Sequence, residues 1–344
     1  MRKTYAIGDV HFSDARPWDI ETFNKFIDWF DKELTKDVDK ESSEIIFLGD
    51  LTERAVNNGK PIEMLTRLIK IALDKFSNVI VIGGNHDMKE TIDGSCYYST
   101  QYLSQLGDVK VVLDEEQFVS KMGVKITALP HKKTIGTISS YYNKSLPEKF
   151  YNDSCDLIVG HVTLYDPDFP YIDGVSLKRF HYKYAAFGHI HQRFGKNAEC
   201  YTGSIMSFRK SEMATDIPRQ VEIFYRENDG DELKKTAIDI PTFRVYEKID
   251  YNLQKLQHKK SSTFEAHIYE VFNCSSSVVQ SLSNDYYVTL GKKADQAETA
   301  STESIVSAAD FVFKSKLDAF KRMVNSEHLH YKRSTMKMMN ELLM

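Results

Sequence analysis

Five times along the chain a short apolar run ends in glycine and passes at once into side chains able to hold a metal ion: Gly8-Asp9-Val10-His11, Gly49-Asp50, Gly84-Asn85-His86-Asp87, Gly160-His161 and Gly188-His189-Ile190-His191. The runs themselves, 4–7, 44–48, 78–82, 157–159 and 185–187, are rich in β-branched and aromatic residues and too short for helices. Such a pattern predicts buried strands with functional loops at their C-terminal ends. Between the first three runs, stretches 18–34 and 61–76 carry apolar residues three and four apart, the helical period. Alternation of strand and helix predicts a layered α/β core.

The residue types suit one chemistry. Splitting a phosphate ester at neutral pH needs an activated water and positive charge for both the attacking and the leaving oxygen, which two divalent ions roughly 3.5 to 4 Å apart can supply. Ions that close need a bridging carboxylate, and the middle one, Asp50, is the natural choice. Asp9 and His11 would complete one shell, Asn85 and His161 the other. If the 189–191 segment is extended, alternate residues project to one side, and His189 and His191 can give one imidazole to each ion. Only two carboxylates face four positive charges, so the site stays electropositive and attracts phosphate. Oxygen and imidazole donors without thiolate suit Mn, Fe(II), Zn or Co.

The order of these motifs resembles that of the calcineurin-like metallophosphoesterases, which run DxH, GDxx, GNHD, GH and GHxH. Within that superfamily the chain looks most like the SbcD-type nuclease subunits, including shorter phage recombination versions, which act with an SMC-like ATPase of the SbcC kind. The likeness covers residues 3–208 by motif, and Tyr201-Thr202-Gly203-Ser204 is similar to the family's YxGS segment without its usual proline. The resemblance implies a four-layer αββα sandwich and two divalent ions, Mn²⁺ first, with Mg²⁺, Fe²⁺, Zn²⁺ and Co²⁺ as alternatives. It implies one ion held by Asp9, His11, Asp50 and His191, and a second by Asp50, Asn85, His161 and His189. His86 is then the catalytic histidine beside the phosphate, with Asp87 orienting its ring. The chain departs from the family at Leu51-Thr52-Glu53-Arg54, where GDLFD or GDLFH is common, so a DNA contact there does not transfer to Glu53.

With 344 residues the chain can form one large core plus an appended unit. No run of 18 apolar residues occurs and the first strand follows Met1-Arg2-Lys3 directly, which leads us to expect neither a signal peptide nor a membrane span, and a cytoplasmic location. Cys96, Cys155, Cys200 and Cys274 show no CxxC spacing and read as small buried residues of a reducing compartment. His258, His267, His328 and His330 read as structural or surface residues. A net charge of −4 carries no global signature of nucleic-acid binding. A local footprint would suffice, since only a few phosphates need contact. Lys132, Lys133, Lys178, Arg179, Arg193 and Arg209 are its candidates.

Residues 1–241 read as the catalytic domain, closing with a hairpin of 220–225 and 235–240 around the polar turn 227–232. Strand-rich residues 242–291, with a helix at 276–283, match in layout the small α+β capping domain of the SbcD-like family. Residues 292–303 lack any large apolar side chain and read as a linker. In 304–344, Phe311, Leu317, Phe320 and Met323 form one apolar stripe and Leu329, Met336, Met339 and Leu343 another, suited to docking on a partner's coiled coil. The expectation is a Mn-dependent DNA phosphodiesterase, exonuclease or endonuclease, in repair, recombination or replication, a homodimer within a heterotetramer with an SbcC-like ATPase. The alternatives are a stand-alone metallophosphoesterase for small esters, cyclic nucleotides or phosphoproteins, and a silent scaffold. Protein phosphatases of this superfamily carry GDxxDRG and GNHE, whereas this chain has GDLTER and GNHD.

Overall fold

The computed structural model describes residues 1–55, 59–90, 96–132, 138–165, 174–196, 198–208, 212, 218–228, 230–250, 265–272, 274–283 and 287–290. In chain order its first half contains β1 (Arg2–Ile7), α1 (Asp19–Trp29), β2 (Ser43–Phe47), α2 (Lys60–Lys75), β3 (Asn78–Ile82), β4 (Met88–Glu90), β5 (Cys96–Tyr98), β6 (Val109–Val112), β7 (Glu116–Val119) and β8 (Lys125–Leu129). There follow β9 (Leu157–His161), β10 (Tyr184–Gly188), β11 (Phe194–Lys196), β12 (Glu199–Tyr201), β13 (Gln220–Arg226), β14 (Lys234–Asp239), β15 (Arg244–Asp250), β16 (Ala266–Phe272), α3 (Ser276–Leu282) and β17 (Tyr287–Leu290).

Two six-stranded sheets form the core, in the orders β14-β13-β1-β2-β3-β6 and β11-β12-β10-β9-β8-β7. The inner pairings β1 with β2, β2 with β3, β8 with β9 and β9 with β10 are all parallel. Parallel strands are covered on both faces, which is why these runs are nearly continuous in apolar residues rather than alternating. Each strand splits its side chains. Tyr5, Ile7, Ile45, Phe47, Val79 and Val81 pack under α1 and α2. Ala6, Ile46, Leu48, Ile80 and Ile82 meet Ile126, Ala128, Leu157, Val159 and Ala186 of the second sheet.

The outer layer over the second sheet, expected as the fourth layer of the αββα sandwich, holds no long helix among the described residues. It consists of short turns at Ile138–Ser140, Tyr141–Ser145 and Lys149–Asn152, whose Tyr142, Phe150 and Tyr151 cover Ile158 and Phe187. The helix expected over 18–34 does run its full length, α1 widening into a π-helical turn at Phe30–Leu34. The 220–240 hairpin forms as expected, and β13 pairs antiparallel with β1 at the edge of the first sheet.

The last described strands make a separate parallel sheet, β15-β16-β17. It is fastened to α1. Arg244 is buried, its Nη2 donates to Asp19 Oδ1 at 2.9 Å and to Thr22 Oγ1 at 2.8 Å, Lys25 Nζ donates to the Glu265 carbonyl at 2.9 Å, and Tyr287 donates to Glu21. Cutting Arg244 back to leucine strands the Asp19 carboxylate without its cation. Removing one partner of a buried pair costs about 3 kcal/mol or more. The R244L chain should therefore unfold at a lower urea midpoint, while an unchanged midpoint would show that the pair contributes nothing net. The 292–303 linker and the 304–344 helices lie outside the described residues.

Candidate metal centre

All five glycine-led segments meet at the C-terminal ends of the two sheets. The backbone there is bent hard: Asp9, His11, Asp50 and His189 have φ of 50°, 52°, 50° and 86°, and among the described residues they are the non-glycine positions with positive φ. The left-handed region costs an L-residue roughly 1–2 kcal/mol, so these four are held by their surroundings. His189 N donates to Asp9 Oδ1 at 2.9 Å, His86 N donates to Asp50 Oδ1 at 2.8 Å, and His11 N donates to the Asp50 carbonyl at 2.8 Å. Gly84 permits the approach, since a Cβ on it would stand 2.1 Å from Asp50 N.

The donors sort into two groups. On one side His11 Nε2 and His191 Nε2 face each other at 2.9 Å, and Asp9 joins them. On the other, Asn85 Oδ1 lies 2.9 Å from both His161 Nε2 and His189 Nδ1. Asp50 stands between, with Oδ2 3.5 Å from His11 Nε2 and 3.1 Å from His161 Nε2. Asp9 and Asp50 are buried, and among the described residues only imidazoles form ion pairs with them. Two buried carboxylates surrounded by converging imidazoles and a carboxamide fit two divalent cations.

The segment carrying His189 and His191 is not extended, which corrects the expectation from spacing. The left-handed turn at His189 sends its ring to Asn85, while His191 reaches His11. A second correction concerns Asp87, which does not orient the His86 ring. Its Oδ1 accepts from Thr52 N at 3.0 Å and Thr52 Oγ1 at 3.1 Å, and its Oδ2 from Gly84 N at 3.2 Å, so it ties the 84–87 turn to the loop after β2. His86 Nδ1 instead donates to the Glu53 carbonyl at 2.7 Å. That bond assigns the Nδ1 proton and leaves Nε2 for proton exchange.

Burial alone would raise the Asp50 carboxyl, but the imidazoles of His161, His11 and His86 outweigh it and hold it well below the usual range. Burial raises Asp9, and raises Asp87 to about 6 with help from the Asp50 charge. His161 is pushed up to about 9, burial being overcome by Asp50, whereas burial and the His161 charge bring His189 down to about 3. A ligating imidazole is neutral, so a metal ion held by His161 would have to displace the proton that this ring holds below pH about 9. Apparent Mn²⁺ affinity should therefore rise about tenfold per pH unit from 6.5 to 8.5 and level off above 9. Calorimetric titration at several pH values checks this, and a flat profile would contradict it.

The basic candidates lie apart from this centre in their bonding. Lys132 pairs with Asp114 at 3.0 Å, Arg179 with Glu148 at 2.9 Å, and Arg193 with the buried Glu222 at 2.9 Å. Lys178 is exposed in the turn before Phe180. Lys133 and Arg209 lie outside the described residues. Two groups at the centre escaped sequence reasoning: Glu53 Oε2 lies 3.0 Å from His11 Nδ1, and Glu212 Oε1 lies 3.1 Å from His191 Nδ1. Each is a single acidic residue in a loop, and no spacing signal marks either. Of the residues read as bland, His267 is structural, its Nδ1 2.6 Å from Glu247.

Carboxylates, imidazoles and one carboxamide gathered between two sheet ends define a metallohydrolase centre. Residues 2–193, more than half of the chain, match the family of calcineurin-like phosphoesterases, and the chain belongs to that family. It is thus a metal-dependent phosphoester hydrolase by family. No curated protein matches the chain. Among solved structures it is similar to the phosphopantetheinyl hydrolase of Mycobacterium tuberculosis, at 12% identity and a TM-score of 0.33, over 68% of this chain and 95% of that one. It is also similar to the protein of unknown function AQ665 from Aquifex aeolicus, at 17% identity and a TM-score of 0.29, over 58% of this chain and 90% of that one. No described helix is long and apolar enough to cross a membrane.

Proposed function

We propose that the chain is a Mn-dependent DNA phosphodiesterase, the nuclease subunit of an SbcCD-like complex for DNA end processing, acting as a homodimer with an ATPase partner in the cytoplasm. The motif order supports the reaction, and one structural observation supports a substrate larger than a small ester. The β15–β17 sheet reaches the metal centre through buried side chains: Arg244 lies over Phe208 at 5.5 Å, and Phe208 packs on His11 at 5.0 Å and His191 at 5.5 Å. A unit placed there can hold a duplex against the site. In this proposal residues 1–241 are the catalytic domain, 242–291 the capping domain, 292–303 the linker and 304–344 the partner-binding segment.

Bound divalent ions would activate water and neutralise the phosphate oxygens. Asp9, His11, Asp50 and His191 would hold one, and Asp50, Asn85, His161 and His189 the other. The chain's own contribution to the chemistry is His86. As the bond from phosphorus to the leaving oxygen breaks, a protonated Nε2 gives that oxygen its proton, while the Glu53 carbonyl holds the ring still through Nδ1. Asp87 keeps the 84–87 turn in place through Thr52 and Gly84.

The pairing of Lys132, Arg179 and Arg193 with carboxylates favours a second reading, a stand-alone hydrolase of small phosphate esters. Labelled linear duplex DNA and a chromogenic phosphodiester, offered in parallel with Mn²⁺ and then EDTA, separate the two. Mn-dependent cleavage of both supports the nuclease. Cleavage of the small ester alone, unchanged on adding an SbcC-like ATPase, would sink it.

A further inference from the structure

We infer that Glu53 and Glu212 are positioning residues that make the half of the centre formed by Asp9, His11 and His191 the tighter metal site, filled before the half formed by Asn85, His161 and His189. The inference rests on the two-metal reading of the centre and adds an order of filling to it.

The observation is an asymmetry in what stands behind the imidazoles. His191 presents Nε2 to the centre, and its Nδ1 lies 3.1 Å from Glu212 Oε1. Glu212 is itself fixed, its Oε2 accepting from Phe208 N at 2.8 Å and its carbonyl from Arg219 Nη2 at 3.4 Å. His11 likewise presents Nε2, and Glu53 Oε2 lies 3.0 Å from its Nδ1, close enough for an ion pair but without aligned hydrogen-bond geometry. Across the centre, the Nδ1 of His161 donates at 2.8 Å to a neutral group, the Leu48 carbonyl.

A carboxylate behind a ligating imidazole fixes the tautomer with the proton on Nδ1, raises the basicity of Nε2 and adds negative charge close to the cation. Asp50 lies within reach of both halves, and Asp9, grouped with His11 and His191, also lies near Asp50 and His161, so the carboxylates peculiar to the first half are Glu53 and Glu212. These two carboxylates bias the first half toward a divalent ion. Glu212 has the larger share, its side chain being 15% exposed against 44% for Glu53, so solvent screens it less.

The test is a Mn²⁺ titration of the metal-free full-length chain by calorimetry, repeated on Glu53→Gln, Glu212→Gln and Asn85→Ala. Glutamine keeps the size and an acceptor oxygen while removing the charge, and the two positions examine the same claim independently. The wild type should bind in two steps at least about tenfold apart. Glu212→Gln should weaken the first step by about 10- to 100-fold and Glu53→Gln by less, with the second step kept within about threefold. Asn85→Ala should remove the second step and spare the first. Equal steps in the wild type, a first step unmoved in both glutamine variants, or an equal loss in both steps would overturn the inference. If no Mn²⁺ binds to the wild type at all, the two-metal reading itself falls.

Discussion

His86→Ala is expected to lower kcat by about 10²- to 10⁴-fold while leaving Mn²⁺ binding as it is in the wild type. The split follows from where the ring sits. Nδ1 is committed to the Glu53 carbonyl, which belongs to the peptide backbone, and the ring meets the donor groups through its edge on His11 rather than by a hydrogen bond to them. His86 does hold Asp50, but through its main-chain N–H, which alanine retains. The substitution removes only the proton donor for the leaving oxygen. A chromogenic phosphodiester with a good leaving group needs little protonation, so the deficit should shrink on that substrate. Equal loss on good and poor leaving groups would rule out His86 as the acid, and loss of Mn²⁺ binding would make it a ligand.

Asp50→Ala should have the larger effect, a fall of at least about 10⁴-fold together with loss of both metal steps. Asp50 stands between the two donor groups, at 3.5 Å from His11 and 3.1 Å from His161. Its Oδ1 also accepts the His86 N–H, so the 84–87 turn loses an anchor as well. Removing it leaves His161 without the anion that pushes its pKa up to about 9. In the metal-free chain the His161 imidazole should then titrate well below 9, a shift that NMR of its ring protons can follow. Added Mn²⁺ should raise the melting temperature of the wild type and not that of D50A, because only a state that binds the ion is stabilised by it. Retention of one tight Mn²⁺ step in D50A would refute the bridging role.

Much of the fold could be read directly. Asn78–Ile82 has the bounds that its apolar run predicts, and the other four ligand-bearing strands differ from their runs by one or two residues at an end. Such runs are legible because a parallel strand covered on both faces is a near-continuous apolar run. The helical layer over the second sheet was not legible, since one-turn segments such as Lys149–Asn152 carry too few residues to display a period. The site was legible as a set of converging side chains, because glycine followed by Asp, Asn or His after a strand is a local pattern.

The sequence by itself determined which side chains reach the sheet ends and in what order, since strand length, the glycine that ends it and the residue that follows are all neighbours in the chain. Only the tertiary structure decided how those side chains are held. The left-handed turns at Asp9, His11, Asp50 and His189 persist because bonds from distant segments, such as His189 N to Asp9, fix them. The same holds for the backing of His191 by Glu212, the seating of His86 on the Glu53 carbonyl and the commitment of Asp87 to Thr52. Each depends on which loops the packing of two sheets brings within about 3 Å, the length of a hydrogen bond, and no residue's neighbours in the chain carry that information.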